Sequence, residues 1–143
     1  MMRAKWEPPL GLTAVIGWLW LSSALNGLYW ILFFTGTLQA SHDPAAAGFE
    51  AAFPAADAWL LIASITCAEG LRRRRSWAVV FGIAAGSALI YLGLMDTLYN
   101  LEHGMYLRLT GEMIVEAAIN VTCFVFGPLL MWYVWRHRRW LGA

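Results

Sequence analysis

The stretch "SWAVVFGIAAGSALIYLGLMDTLYNLEH", Ser76 to His103, decides the fold. It carries no charged residue until Asp96. A bilayer core takes about 20 consecutive apolar residues as a helix, and this run is longer. An isolated strand would leave its backbone amides and carbonyls unsatisfied in lipid, so the run is predicted to be a transmembrane helix. Its last turns are unlike the rest, because Asp96, Asn100, Glu102 and His103 follow one another closely.

Three further apolar segments flank it: Gly11 to Leu38, Pro54 to Leu71 and Gly111 to Trp135. The chain of 143 residues is 60% hydrophobic and 13% charged. Soluble domains carry about 25% charged residues, so a soluble class is excluded. Nine tryptophans fit the same reading, since the indole ring favours the lipid–water boundary. One unit is expected, an all-α bundle of four transmembrane helices over about 11–38, 54–71, 76–103 and 111–135. Arg3 and Lys5 before the first run resemble a signal-peptide start, and "SSA" at Ser22 to Ala24 a weak cleavage site. The apolar run continues through Phe34, too long for a signal core, so an uncleaved helix is expected.

Basic residues set the orientation. Arg3, Lys5, Arg72, Arg73, Arg74, Arg75, Arg136, Arg138 and Arg139 fall on one side of the four segments, and Arg108 on the other. The bias of lysine and arginine toward the cytoplasm places both termini and the "RRRR" loop inside. Trp6, Trp77, Trp132, Trp135 and Trp140 then lie at the inner interface and Trp59 at the outer one. The arginine run reads as a topology anchor against anionic headgroups. The connection 39–53 lies outside, either as a plain loop or as a helix on the membrane surface. His42 and Asp43 within it read as solvated.

Residues three and four apart share a helix face. In segment three, Gly82, Gly86, Leu89, Gly93, Asp96, Asn100 and His103 form one stripe. Its inner half is a G-x-x-x-G pair that allows another helix close, including that of a second copy or a larger complex. Its outer half is polar. Segment four carries a matching stripe of Glu112, Glu116, Asn120, Cys123 and Gly127. Gly104 suits the end of helix three and Thr110 the cap of helix four. The connection between them is short, so the two helices are expected antiparallel, with Asp96 and Asn100 level with Glu112 and Glu116. Asp57 and Asn26 join them from segments two and one. An acid at the centre of a membrane helix costs about 2.5–3.5 kcal/mol on the insertion scale, less toward the interface.

Asp57, Asp96, Asn100, His103, Glu112, Glu116, Asn120 and Asn26 are therefore the candidate ligand-binding residues. The structural alternative reads Glu112 and Asp57 as helix-start residues, Asn26 and Asn120 as interhelical hydrogen-bond partners, and His103 as a helix-end residue. Tyr91, Tyr99 and Tyr106 read as packing or interface residues. Crowded carboxylates must hold protons, bind a cation or share water. Three function classes follow. One is binding of a cation or small amphiphile. Another is an intramembrane enzyme acting on a lipid or isoprenoid, by acid–base chemistry or with a metal held by Asp96, His103, Glu112 and Glu116. The third is an accessory subunit or assembly factor of a larger membrane complex. Haem is not expected, because no two histidines lie at membrane depth. Cys67 and Cys123 sit in apolar runs and read as packing residues rather than a redox pair. No basic groove interleaved with aromatics lies outside the loops, so a nucleic-acid partner is not expected.

Phe53, Pro54 and Asp57, with Tyr99, Asn100, His103, Gly104 and Tyr106, resemble the Phe-Pro-x-x-Asp and Tyr-Asn-x-x-His-Gly-x-Tyr patterns of small uncharacterised bacterial four-helix membrane proteins. The likeness covers the middle third of the chain. It implies the fold and the outer-face cluster, and it implies no activity; a bacterial inner-membrane location is expected for the bundle. The sterol-isomerase-like family, which also places acids inside a small helical bundle, serves only as an analogy.

Overall fold

The structure, a computed structural model, describes residues 7–37, 48–49, 51–107 and 110–143, and leaves the Glu112 side chain outside that description. Four long α-helices make up the described residues: α1 (Leu12–Phe34), α2 (Pro54–Arg72), α3 (Trp77–Glu102) and α4 (Gly111–Arg136). A 3₁₀ turn at Met105–Leu107 joins the last two. Three of the four, Leu12–Phe34, Trp77–Glu102 and Met113–Arg136, are long and apolar enough to cross a membrane. The other, α2, holds Asp57, Glu69 and Arg72 within its span.

The helix ends have local causes. The apolar run of α1 continues to Leu38 in sequence, but the helix stops at Phe34. Gly36 adopts φ +73°, and the Gly36 and Thr37 amides bond back to the Phe33 and Leu32 carbonyls. This is the paired closure that a glycine after the C-cap permits. Gly104, at φ +62°, follows α3 and bonds back through its amide to the Leu101 carbonyl. Pro54 stands at the start of α2, where a missing N–H costs no helical bond. Thr110 caps α4 by accepting from the Met113 amide at 3.2 Å. The expectation for 39–53 falls largely outside the described residues; Gly48 and Phe49 are helical.

Glycines set the spacing of α3 and α4. A methyl group on Gly86 would lie 2.6 Å from the Gly127 carbonyl oxygen, and one on Gly127 2.8 Å from that of Gly86. Two backbones meeting this closely is the arrangement small residues allow in membrane bundles. A methyl on Gly82 would meet Val134 at 2.6 Å, and one on Gly93 would meet Cys123 at 2.9 Å. The Gly82/Gly86 face, read as letting another helix approach closely, packs here against the chain's own α4.

A core of Leu19, Ala63, Cys67, Ala68, Leu71, Ala78, Ala85, Leu130, Val134 and Leu141 runs through the bundle. Leu12, Leu71 and Leu141 belong to this one cluster, so the start of α1, the α2–α3 turn and the C-terminal turn meet at one end. That is the arginine-rich end. Both cysteines are free and buried.

The helices differ in length, and this shapes the opposite end. At 1.5 Å per residue α2 is about 29 Å long and α3 and α4 about 39 Å. Since α2 and α3 share a tight turn at the arginine-rich end, α3 runs on past the start of α2. Ala56 already lines a groove with Ala88, Tyr91 and Leu92, so Asp96 lies about one helical turn beyond that level. The polar half of the α3 stripe therefore extends beyond the start of α2.

Candidate functional site

The register of α3 on α4 creates the site. From the arginine-rich end outward, Gly82 faces Val134, Gly86 faces Gly127 and Gly93 faces Cys123. Two polar pairs continue the same antiparallel ladder. Asn120 Nδ2 donates to Asp96 Oδ2 at 2.7 Å, and Asn100 Nδ2 donates to Glu116 Oε1. Asn100 is 2% exposed and Asn120 4%. A buried amide left unpaired would cost about 1–3 kcal/mol, so both pairs are structural requirements as well as chemical features. Asp96 therefore lies level with Asn120, rather than with Glu112 or Glu116.

A second group approaches from α1 and α2. Trp30 Nε1 donates to Asp57 Oδ2 at 2.9 Å, and the Asn26 side chain also hydrogen-bonds this carboxylate. Asn26 and Trp30 lie four residues apart, and Leu19 and Ser23 continue the face on which α1 packs. Asp57 is half-buried and within electrostatic reach of Asp96. Cys123 lies within reach of both carboxylates. Side chains from all four helices thus converge in the half of the bundle away from the arginines.

Of the residues expected here, Asn26, Asp57, Asp96, Asn100, Glu116 and Asn120 come together. His103 does not. It is exposed, its ring stacks on Tyr99 at 4.1 Å, and its Nδ1 lies 2.9 Å from the Tyr99 carbonyl oxygen. Phe49 stacks on Tyr99 at 3.9 Å and so covers that face of the Tyr99 ring. Glu112 lies outside the described side chains. Among the described residues no three of His, Cys, Asp and Glu converge as a metal-ligating set.

Two participants were not foreseen. Trp30 supplies the indole N–H to Asp57, and Tyr106 OH takes a second hydrogen bond from Asn120 Nδ2, at 3.1 Å. Tyr106 was expected to be a packing or interface residue. A buried amide presents two donors, and the turn at Gly104 brings a phenol back over the helix end. Thr97, beside Asp96, carries a buried hydroxyl without a hydrogen-bond partner among the described residues.

Two surface grooves flank the bundle. One, of about 360 Å³, lies between α2 and α3, with Trp59 and Tyr91 at its rim and Ala56, Ala84, Ser87 and Ala88 lining it. The other, of about 480 Å³, runs between α1 and α4 along Val15, Trp18, Val121, Val125 and Phe126. Neither is lined by the carboxylates. No family model, no curated protein and no solved structure matches the chain.

Proposed function

We propose that this chain is a multi-pass protein of a bacterial inner membrane, with all four helices crossing the bilayer and the arginine-rich end in the cytoplasm. The polar network of the opposite half binds a cation, and a small amphiphilic ammonium is the class that suits it. The crossing of α2 is supported by its place between α1 and α3 and by its length of about 29 Å, close to the ~30 Å hydrocarbon thickness. Its charged residues lie near its two ends.

The observation that carries the ligand reading is that Asp57 and Asp96, on different helices, lie within electrostatic reach of each other, each already oriented by neutral donors. Two carboxylates in one low-dielectric place favour a shared proton or an added positive charge. An aromatic surround of Trp30, Phe33 and Tyr29 stands beside Asp57 on α1 and suits the apolar part of an amphiphile.

The test is thermal unfolding in a nonionic detergent with increasing alkyltrimethylammonium, compared with an uncharged detergent of equal chain length. A ligand that binds only the folded protein stabilises it by about 2.7 kcal/mol at a concentration of 100 Kd. The cation is expected to raise the midpoint of the wild type and not that of Asp57→Asn/Asp96→Asn. An equal rise in both proteins would reject the site.

A further inference from the structure

Three helices of this chain close through a residue of positive φ. Two use glycine, Gly36 and Gly104, and the third uses Arg74, at φ +53°. The Arg74 and Arg75 amides bond back to the Leu71 and Gly70 carbonyls, the same closure found at α1. Glycine enters this conformation without steric conflict, whereas arginine is strained there. Such strain persists where the side chain or its surroundings require it.

The side chain has a defined place. The Arg74 guanidinium lies over the Trp140 ring, 4.4 Å from its centroid. Trp140 belongs to the turn after α4, which Leu141 anchors into the core beside Leu71. The contact joins the α2–α3 turn, which carries Arg75, to the C-terminal turn, which carries Arg138 and Arg139; the Arg138 guanidinium lies over the Trp135 ring and donates to the Trp135 carbonyl. Glu69 accepts from both of the other arginines of the run, Arg72 and Arg73, which share its single negative charge. Among the described residues no ion pair reaches Arg74, Arg75, Arg136, Arg138 or Arg139. Beneath them, the Tyr133 hydroxyl and Trp140 Nε1 are buried donors without partners among the described residues.

We infer that Arg74, Arg75, Arg138 and Arg139, held together across the Arg74–Trp140 stack, form one binding site for the phosphate of an anionic phospholipid in the adjoining leaflet. Exposed Trp77, Trp132 and Trp135 place these arginines at headgroup level. Arginine suits phosphate because its planar fork donates two parallel hydrogen bonds. The inference rests on the membrane-spanning reading and is independent of the cation site.

The test follows the unfolding midpoint of the detergent-purified protein as phosphatidylglycerol is added, with phosphatidylcholine and inorganic phosphate as separate arms. Phosphatidylglycerol alone is expected to raise the midpoint. Each basic residue near an anionic surface contributes about fivefold in affinity, so Arg74→Gly and Arg75→Gln are each expected to weaken the effect by about that factor. Arg74→Gly also relieves the backbone, so its midpoint without lipid is expected to hold. Glu69→Gln/Arg72→Gln leaves the net charge unchanged and is expected to respond like the wild type. The site is refuted by an equal response to phosphatidylcholine, by full stabilisation with inorganic phosphate, or by a loss in Glu69→Gln/Arg72→Gln matching that in Arg74→Gly.

Discussion

Asn120 shows how one side chain serves two ends. Its single Nδ2 holds Asp96 on α3 and Tyr106 on the turn that follows. Asp96→Leu separates the structural and functional roles of the acid. A carboxylate present for function alone would leave a more stable bundle when replaced by leucine. Here the replacement strands a buried amide, so Asp96→Leu is expected to destabilise the protein by about 1–2 kcal/mol, read as a lower unfolding midpoint in detergent. Asp96→Asn preserves hydrogen bonding and is expected to change it little. At this scale the sequence was partly legible. Asn100, Glu116 and Asn120 declare themselves because polar residues at helical spacing in an apolar run have few places to go. Trp30 and Tyr106 do not, since an aromatic at a membrane boundary is ordinary, and only the approach of Asp57 or Asn120 gives the ring a polar task.

Small residues govern the elements. The α3–α4 contact depends on Gly86 and Gly127 being without side chains. Gly86→Ala places a methyl against a backbone oxygen that cannot yield without moving a helix, and its cost is expected to be about 1–3 kcal/mol. Gly17→Ala on α1, where nothing lies within 4 Å, is expected to be neutral or mildly stabilising. Paired unfolding midpoints check both. The G-x-x-x-G pattern announced a close helix contact in the sequence, but not which helix would make it. An apolar face of small residues fits any matching face, and the short α3–α4 connection makes the intramolecular encounter cheaper in entropy than association with another copy. The end of α1 was overestimated for a related reason: hydropathy continues to Leu38, and Gly36 stops the helix through its backbone alone.

The whole molecule is a bundle whose two ends differ in chemistry, with arginines and tryptophans at one and a carboxylate–amide network at the other. Three of the four segments were legible because they have the length and apolarity that a bilayer demands, and the other, α2, as a shorter apolar run. The position of the network relative to the start of α2 was not, because it depends on the different lengths of α2 and α3. With the arginine-rich end in the cytoplasm, a cysteine at Ala143 is expected to resist a membrane-impermeant maleimide in intact cells, and a cysteine at Thr37 to react. The native Cys67 and Cys123 are buried and are expected to contribute little label. The reverse pattern would invert the topology. The central claim is that Asp57 and Asp96 together hold a cation, and calorimetric titration of the detergent-purified protein with an alkyltrimethylammonium tests it most directly. The expected result is saturable binding to the wild type, at least tenfold weaker (about 1.4 kcal/mol) in Asp57→Asn/Asp96→Asn. Equal affinity in the two proteins would contradict the claim and leave the network as hydrogen-bonded structure.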